Sequence, residues 1–258
     1  MAINYLDEAR QLSESKRKEL GLDDAPIKNL FALLEGQGIF VVKMPVDSEE
    51  FSGVFFYDRE KNLSSILVNS NRSIGHQNFT AVHEYCHHLR DKETQPLLIE
   101  FNGGSKPTYE KLADCFAANF LMPGNGVKTY IKEVLDNKSN KLTDEELVRI
   151  RNEFDVSWQA TIYQLNNLKY GFDKDYKIKL LETSRLNFLS LKLGYEPQKT
   201  VEHGELKLPS EYLKLAFNAY FTEMITLDKL AELLRKSYEE TKDLVAEIRR
   251  AGDEKYRE

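Results

Sequence analysis

The chain has 258 residues, enough for one large domain or two smaller ones. Hydrophobic residues make up 41% and charged residues 30%, which excludes an intrinsically disordered chain. The net charge of -6 argues against nucleic-acid binding through bulk electrostatics and leaves only a local basic face for it.

The first predicted helix covers residues 2–20, where Ile3, Leu6, Ala9, Leu12 and Leu20 fit an apolar stripe. This N-terminus is charged and has no apolar signal core, and no run in the chain approaches a membrane span. A cytoplasmic protein without membrane association is therefore expected. Asp23-Asp24-Ala25-Pro26 interrupts the pattern, and Ile27, Leu30, Phe31 and Leu34 form the face of a second helix that Gly36 and Gly38 end. Three strands follow, at 38–44, 51–57 and 63–69, with Pro45 and the polar turn Asp58 to Asn62 between them. The second and third read as an antiparallel pair. An exposed edge of this sheet suits strand addition by an extended peptide as well as it suits a plain scaffold.

Next comes His83-Glu84-Tyr85-Cys86-His87, a His-Glu-x-x-His pattern. Phe79, Val82, Cys86 and Leu89 recur at spacings of three and four, and no proline or glycine interrupts residues 76–95. On such a helix His83 and His87 lie one turn apart on one face and can converge on a single ion, half-buried beside the stripe. Two imidazoles and a carboxylate suit one zinc ion per chain, with manganese or iron as the other candidates. Glu84 falls about 100° round the helix from His83, where it can reach a water without binding the metal. The alternative is a histidine-rich helix face. His88 either orients Glu84 or is solvated, and His76 reads as structural. No electrophile for a transition state is assigned; His203 and Tyr109 are the residues available.

After a loop that contains Gln95-Pro96 and Asn102 to Pro107, another helix is predicted over 108–122, ended by Pro123-Gly124. Glu110, Ala113, Asp114 and Ala117 share one face, and the two alanines let the helix approach a partner closely. Glu110 is the candidate third ligand. Asp114, one turn on, can accept the free ring N–H of a ligand histidine. Alternatively, Glu110 is an exposed first-turn carboxylate favoured by the helix dipole. Cys86 and Cys115, the two cysteines, fall in these two helices and read as small core residues, which favours a reducing compartment.

His83-Glu84-x-x-His87, then Glu110-x-x-Ala113-Asp114-x-Phe116-Ala117 and Leu121-Met122-Pro123, together resemble the ImmA/IrrE family of zinc metallopeptidases over residues 25–170. The strands at Ser52-Gly53 and Ile66 to Asn69 are similar too. The resemblance implies zinc on His83, His87 and Glu110, and Glu84 as general base. It also implies a regulatory protease acting on a repressor-like protein in transcription regulation or a stress response. Leu112 stands where many members carry a second glutamate, and Cys86 where a small residue is common. Some members carry an N-terminal DNA-binding domain, for which residues 1–25 are too short.

Two more helices are predicted at 142–154 and 157–170, the first opened by a Thr143 cap with Glu146 three residues on. They mimic a helix-turn-helix, but the second carries only Lys169 as a full positive charge, so packing is the favoured role. Residues 172–200 show no clear period. Helices follow from Pro209 to Tyr220, from Thr226 to Leu234 and from Ser237 to Arg250. Leu227, Leu230, Leu233, Leu234 and Leu244 suit a small bundle for binding a partner or presenting a substrate.

The expected fold is α+β and mostly helical. A small three-stranded, mostly antiparallel sheet packs on zincin-like helices at about 76–91 and 108–122. Residues 1–170 form the peptidase domain, and 171–258 form a helical C-terminal region. The expected function is zinc-dependent peptide-bond hydrolysis in a protein substrate. Its rivals are a non-catalytic, zinc-stabilised regulator that binds protein or DNA through its C-terminal helices, and an antitoxin-like interaction protein.

Overall fold

Asn4 starts the first helix by accepting from the Leu6 N–H, and α1 runs Tyr5–Glu19 with Ala9 against the core. A computed structural model describes residues 4–101, 106–139, 141–170, 183–195 and 206–254. Helix α2 (Leu30–Gly36) follows, then strands β1 (Ile39–Met44), β2 (Phe51–Asp58) and β3 (Leu63–Asn69). Helix α3 (Ile74–Arg90) carries the histidine motif, and a fourth strand, β4 (Leu97–Phe101), separates it from α4 (Thr108–Leu121). Then come α5 (Gly124–Thr129), a π-helical turn (Tyr130–Val134), α6 (Asp144–Phe154), α7 (Trp158–Asn167) and α8 (Thr183–Lys192). The last three helices are α9 (Ser210–Phe221), α10 (Leu227–Leu234) and α11 (Tyr238–Glu254).

The sheet order is β1-β3-β2-β4. β2 pairs antiparallel with β3 and β4, whereas β1 lies parallel to β3. The sheet therefore has a fourth strand beyond the expected three, and with two of its three pairings antiparallel it is mostly antiparallel, as expected. β4 escaped the sequence pattern because Pro96 directly before it reads as a turn and five residues carry too little period. Asn69 sets where β2 begins: its Oδ1 accepts from the Val46 N–H and its Nδ2 donates to the Phe51 carbonyl, pinning the β1–β2 connection. Along β2, Phe55 and Tyr57 turn inward and Phe56 outward, the period of two that covers one face with α3.

α3 is enclosed between that sheet and α4. Ala81, Val82 and Cys86 are fully buried, and Tyr85 packs its ring on Phe116 and Phe120 of α4 at centroid distances of 6.2 and 5.9 Å. Ala113 and Ala117 are also fully buried, as close approach of two helices requires. Leu112 fills core volume at 2% exposure, which is its role in place of a second carboxylate. Arg17 ties α1 to α4 by donating to the Phe120 carbonyl at 2.5 Å and to the Asp23 carbonyl at 2.7 Å.

α6 and α7 pack as expected. Thr143 and Glu146 form a reciprocal capping box, Asp155 takes the left-handed conformation at the turn, and Leu147, Ile150, Phe154, Trp158, Ile162 and Leu165 enter the main core. α8 lies within the stretch whose sequence shows no clear period; its Leu189 and the following Leu193 and Tyr195 pack on that same core. The chain accordingly divides into compact units Met1–Leu206 and Lys207–Glu258, later than the sequence boundary at 170/171. In the second unit Ala216, Leu230, Leu234 and Val245 form a core of its own, flanked by Leu227, Leu233 and Leu244.

Candidate metal centre

Helical spacing brings the His83 and His87 rings to a centroid distance of 4.9 Å, and their Nε2 atoms stand 3.1 Å apart. α4 supplies the third group. Glu110 Oε2 lies 2.9 Å from His83 Nε2, and Oε1 lies 3.5 Å from His87 Nε2. One ligand atom from each of these residues falls within 4.8 Å of the others. Both histidines are essentially inaccessible, at 0% and 1% exposure, rather than half-buried as their place beside the stripe suggested, because the sheet and α4 close over α3 from both sides.

The Nδ1 atoms are held from behind. His83 Nδ1–H donates to Asp114 Oδ1 at 2.9 Å, the contact expected from the one-turn spacing of Glu110 and Asp114. His87 Nδ1–H donates to Asp91 Oδ2 at 2.7 Å. Asp91 was not singled out in the sequence, although it lies four residues after His87 and its side chain can therefore return to that ring. Lys106 Nζ grips both oxygens of Asp114, at 3.0 and 2.9 Å.

With Nδ1 of each ring committed as a donor to a carboxylate, the neutral tautomers aim their Nε2 lone pairs at each other and at Glu110. The charge count points the same way. Glu84, Glu110, Asp91 and Asp114 place four carboxylates about the two rings, and among the described residues the cations in contact with them are Lys106 on Asp114 and Arg90, 3.7 Å from Asp91. Burial opposes ionisation of Glu110, but hydrogen bonds from His83 and His87 in their protonated forms, and the charge those forms carry, hold it well below the usual carboxylate range. Burial likewise opposes charge on Asp114, and His83 and Lys106 lower its pKa nonetheless. Burial works against protonation of His87, yet Asp91 and Glu110 outweigh it and raise its pKa. A site that draws a proton to a buried imidazole draws a divalent cation for the same reason. Tetrahedral zinc with ligands at about 2.0–2.1 Å needs ligand atoms roughly 3.3 Å apart. The separations of 2.9, 3.1 and 3.5 Å bracket that value, so the donor set fits the ion.

Glu84 is wholly buried on α3 and contributes to the field at His87. β2 passes directly over it: an ideal Cβ on Gly53 would lie 3.4 Å from Glu84 Oε1 and 2.4 Å from Thr80 Cγ2. No side chain larger than glycine's fits between strand and helix there without a shift.

The remaining residues separate from the site. His88 neither orients Glu84 nor stands in solvent; its Nδ1 meets Ser64 Oγ of β3 at 2.8 Å, and its ring stacks on Tyr85. Burial pushes its pKa down to about 4, with Lys92 and Lys16 adding to the effect. His76 Nε2 contacts Ser52 Oγ at 3.0 Å, in keeping with a structural role. Tyr109 stands edge-on to His87 at 6.1 Å, and His203 lies outside the described residues.

A family model described as Peptidase_M78, IrrE N-terminal-like domain, matches residues 34–166, half of the chain. The match covers both helices that carry the candidate ligands and nearly all of the capped pair after them. No curated protein matches the chain.

Proposed function

The chain belongs to the Peptidase_M78 family, with its IrrE N-terminal-like domain, a membership that carries a metallopeptidase type of function; from it we propose a zinc-dependent endopeptidase of regulatory type. Its substrate would be a peptide bond in one specific protein, such as a repressor-like transcription regulator. The observation that carries this is the convergence of His83, His87 and Glu110 beside a wholly buried Glu84 on the same helix.

His83 Nε2, His87 Nε2 and a Glu110 oxygen would hold the ion. When bound, zinc supplies a Lewis acid that polarises a carbonyl and makes water acidic near neutral pH. Asp114 and Asp91 keep the rings in the tautomer and orientation that ligation needs. Glu84 takes the proton of the attacking water and returns it to the leaving amine. The strand above it excludes bulk water from one side, so the carboxylate is held in place rather than solvated. A regulator that used zinc only for stability would need the three ligands but not Glu84. Among the described residues no helix is long and apolar enough to cross a membrane.

The test compares wild type with Glu84→Gln. Metal content by elemental analysis should be one zinc per chain in both, and should be lost in His83→Ala and Glu110→Ala. New protein N-termini generated in a lysate of the source cells should appear with wild type. They should fall by roughly 10²–10⁴ in rate with Glu84→Gln. Equal cleavage by the two proteins would overturn the mechanism.

A further inference from the structure

A cavity of about 300 Å³ lies beside the metal centre, and its lining contains neither the three ligands nor Glu84. Its contact with the centre is Asp114, which meets His83 at Nδ1, whereas Nε2 of the same ring faces Glu110 and His87. The cavity is therefore on the far side of the imidazole from the ion site, and it is not where a scissile bond would meet the ligands.

Three helices build its apolar wall: Tyr5 of α1, Phe79 of α3, and Ala160 and Tyr163 of α7. Three of these four side chains are aromatic, and Tyr163 remains 41% exposed. Flat apolar surface is thus left uncovered around a concavity at the small end of ligand pockets, which run from about 300 to 1,000 Å³. That size admits a ring-bearing small molecule and excludes a helix.

The polar edge has a definite sign. Lys106 and Lys111 both line the cavity, and among the described residues Asp114 is the one acidic group in that lining. Lys106 is spent on Asp114. Lys111 has no carboxylate within ion-pair distance among the described residues, so the edge keeps one net positive charge. A ligand that matches both features has an aromatic body among Tyr5, Phe79 and Tyr163 and an anionic group that reaches Lys111.

We propose that this cavity is a binding site for a small aromatic carboxylate, separate from the metal ligands and touching their surroundings at Asp114 and its partner Lys106. The site stands whether or not the protein is a peptidase, because it is read by binding alone.

The test is calorimetric titration of the full-length, zinc-loaded chain with 3-phenylpropionate and with its neutral isostere, 3-phenylpropanamide. One site per chain is expected, with the carboxylate bound roughly tenfold more tightly than the amide, the preference one charge-assisted contact provides. Lys111→Met, a change at an exposed position, should abolish the preference. Tyr163→Ala should weaken both probes. Thermal melts of the two variants should match wild type and so remove misfolding as an explanation. Three results overturn the proposal: no saturable heat at millimolar probe, equal affinity for acid and amide, or a preference that survives Lys111→Met. The last would mean that the carboxylate is binding the zinc.

Discussion

Gly53→Ala tests the contact between sheet and motif helix most directly. The added methyl would meet Thr80 Cγ2 at 2.4 Å and the Leu67 carbonyl at 2.9 Å. Carbon atoms in contact normally rest about 3.5–4.0 Å apart, so the first overlap exceeds 1 Å. Neither neighbour yields easily: Thr80 is 1% exposed, and Leu67 belongs to the β3 ladder paired with β1 and β2. Overpacking of this kind costs about 1–3 kcal/mol, a fall in Tm of roughly 3–10 °C for a protein of this size. The assay is thermal unfolding of the zinc-loaded wild type, Gly53→Ala, Thr80→Ser and the double variant. Thr80→Ser deletes Cγ2 and keeps the hydroxyl, so the double variant should regain part of the loss, with a coupling of about 1 kcal/mol or more. Recovery should stay incomplete because the Leu67 contact remains. Two results would refute the reasoning: a Gly53→Ala melt within about 1 °C of wild type, or strictly additive effects of the two substitutions.

Asp91→Ala and Asp114→Ala should each lower metal affinity about 10–100-fold while leaving the fold intact, as loss of a carboxylate behind a ligand histidine does. Competition against a chelator measures this, and unchanged affinity in Asp91→Ala would remove that residue from the site. His88 predicts a pH dependence. Its folded pKa, pushed down to about 4 by burial and then by Lys92 and Lys16, lies below its unfolded value. The stability tied to its neutral form is therefore complete above pH about 6.5, falls as the pH drops towards the folded pKa, and levels off below it. Denaturant midpoints of wild type should fall more steeply across that window than those of His88→Gln. Parallel curves would show that the Ser64 pocket does not hold the neutral ring.

The candidate site residues were legible because helical geometry is local. A spacing of four places His83 over His87, and another places Glu110 over Asp114, with no knowledge of what surrounds either helix. The Thr143–Glu146 box and the stripes of α6, α7 and α10 were readable on the same terms. Asp91 obeyed that spacing too, but a charged residue at a helix end looks like any other until a ring nitrogen is found 2.7 Å away. The pairing of β1 with β3, the fourth strand, the complete burial of both histidines, the union of His88 with Ser64 and the cavity behind Asp114 had no local signature. Each is a meeting of segments far apart in the chain, and periodicity says which face of an element is apolar without saying what will cover it. Sequence alone therefore determined which side chains α3 and α4 could offer. Only tertiary packing decided that two fully buried alanines would let those helices close until an imidazole and a carboxylate, 27 residues apart, came within 2.9 Å.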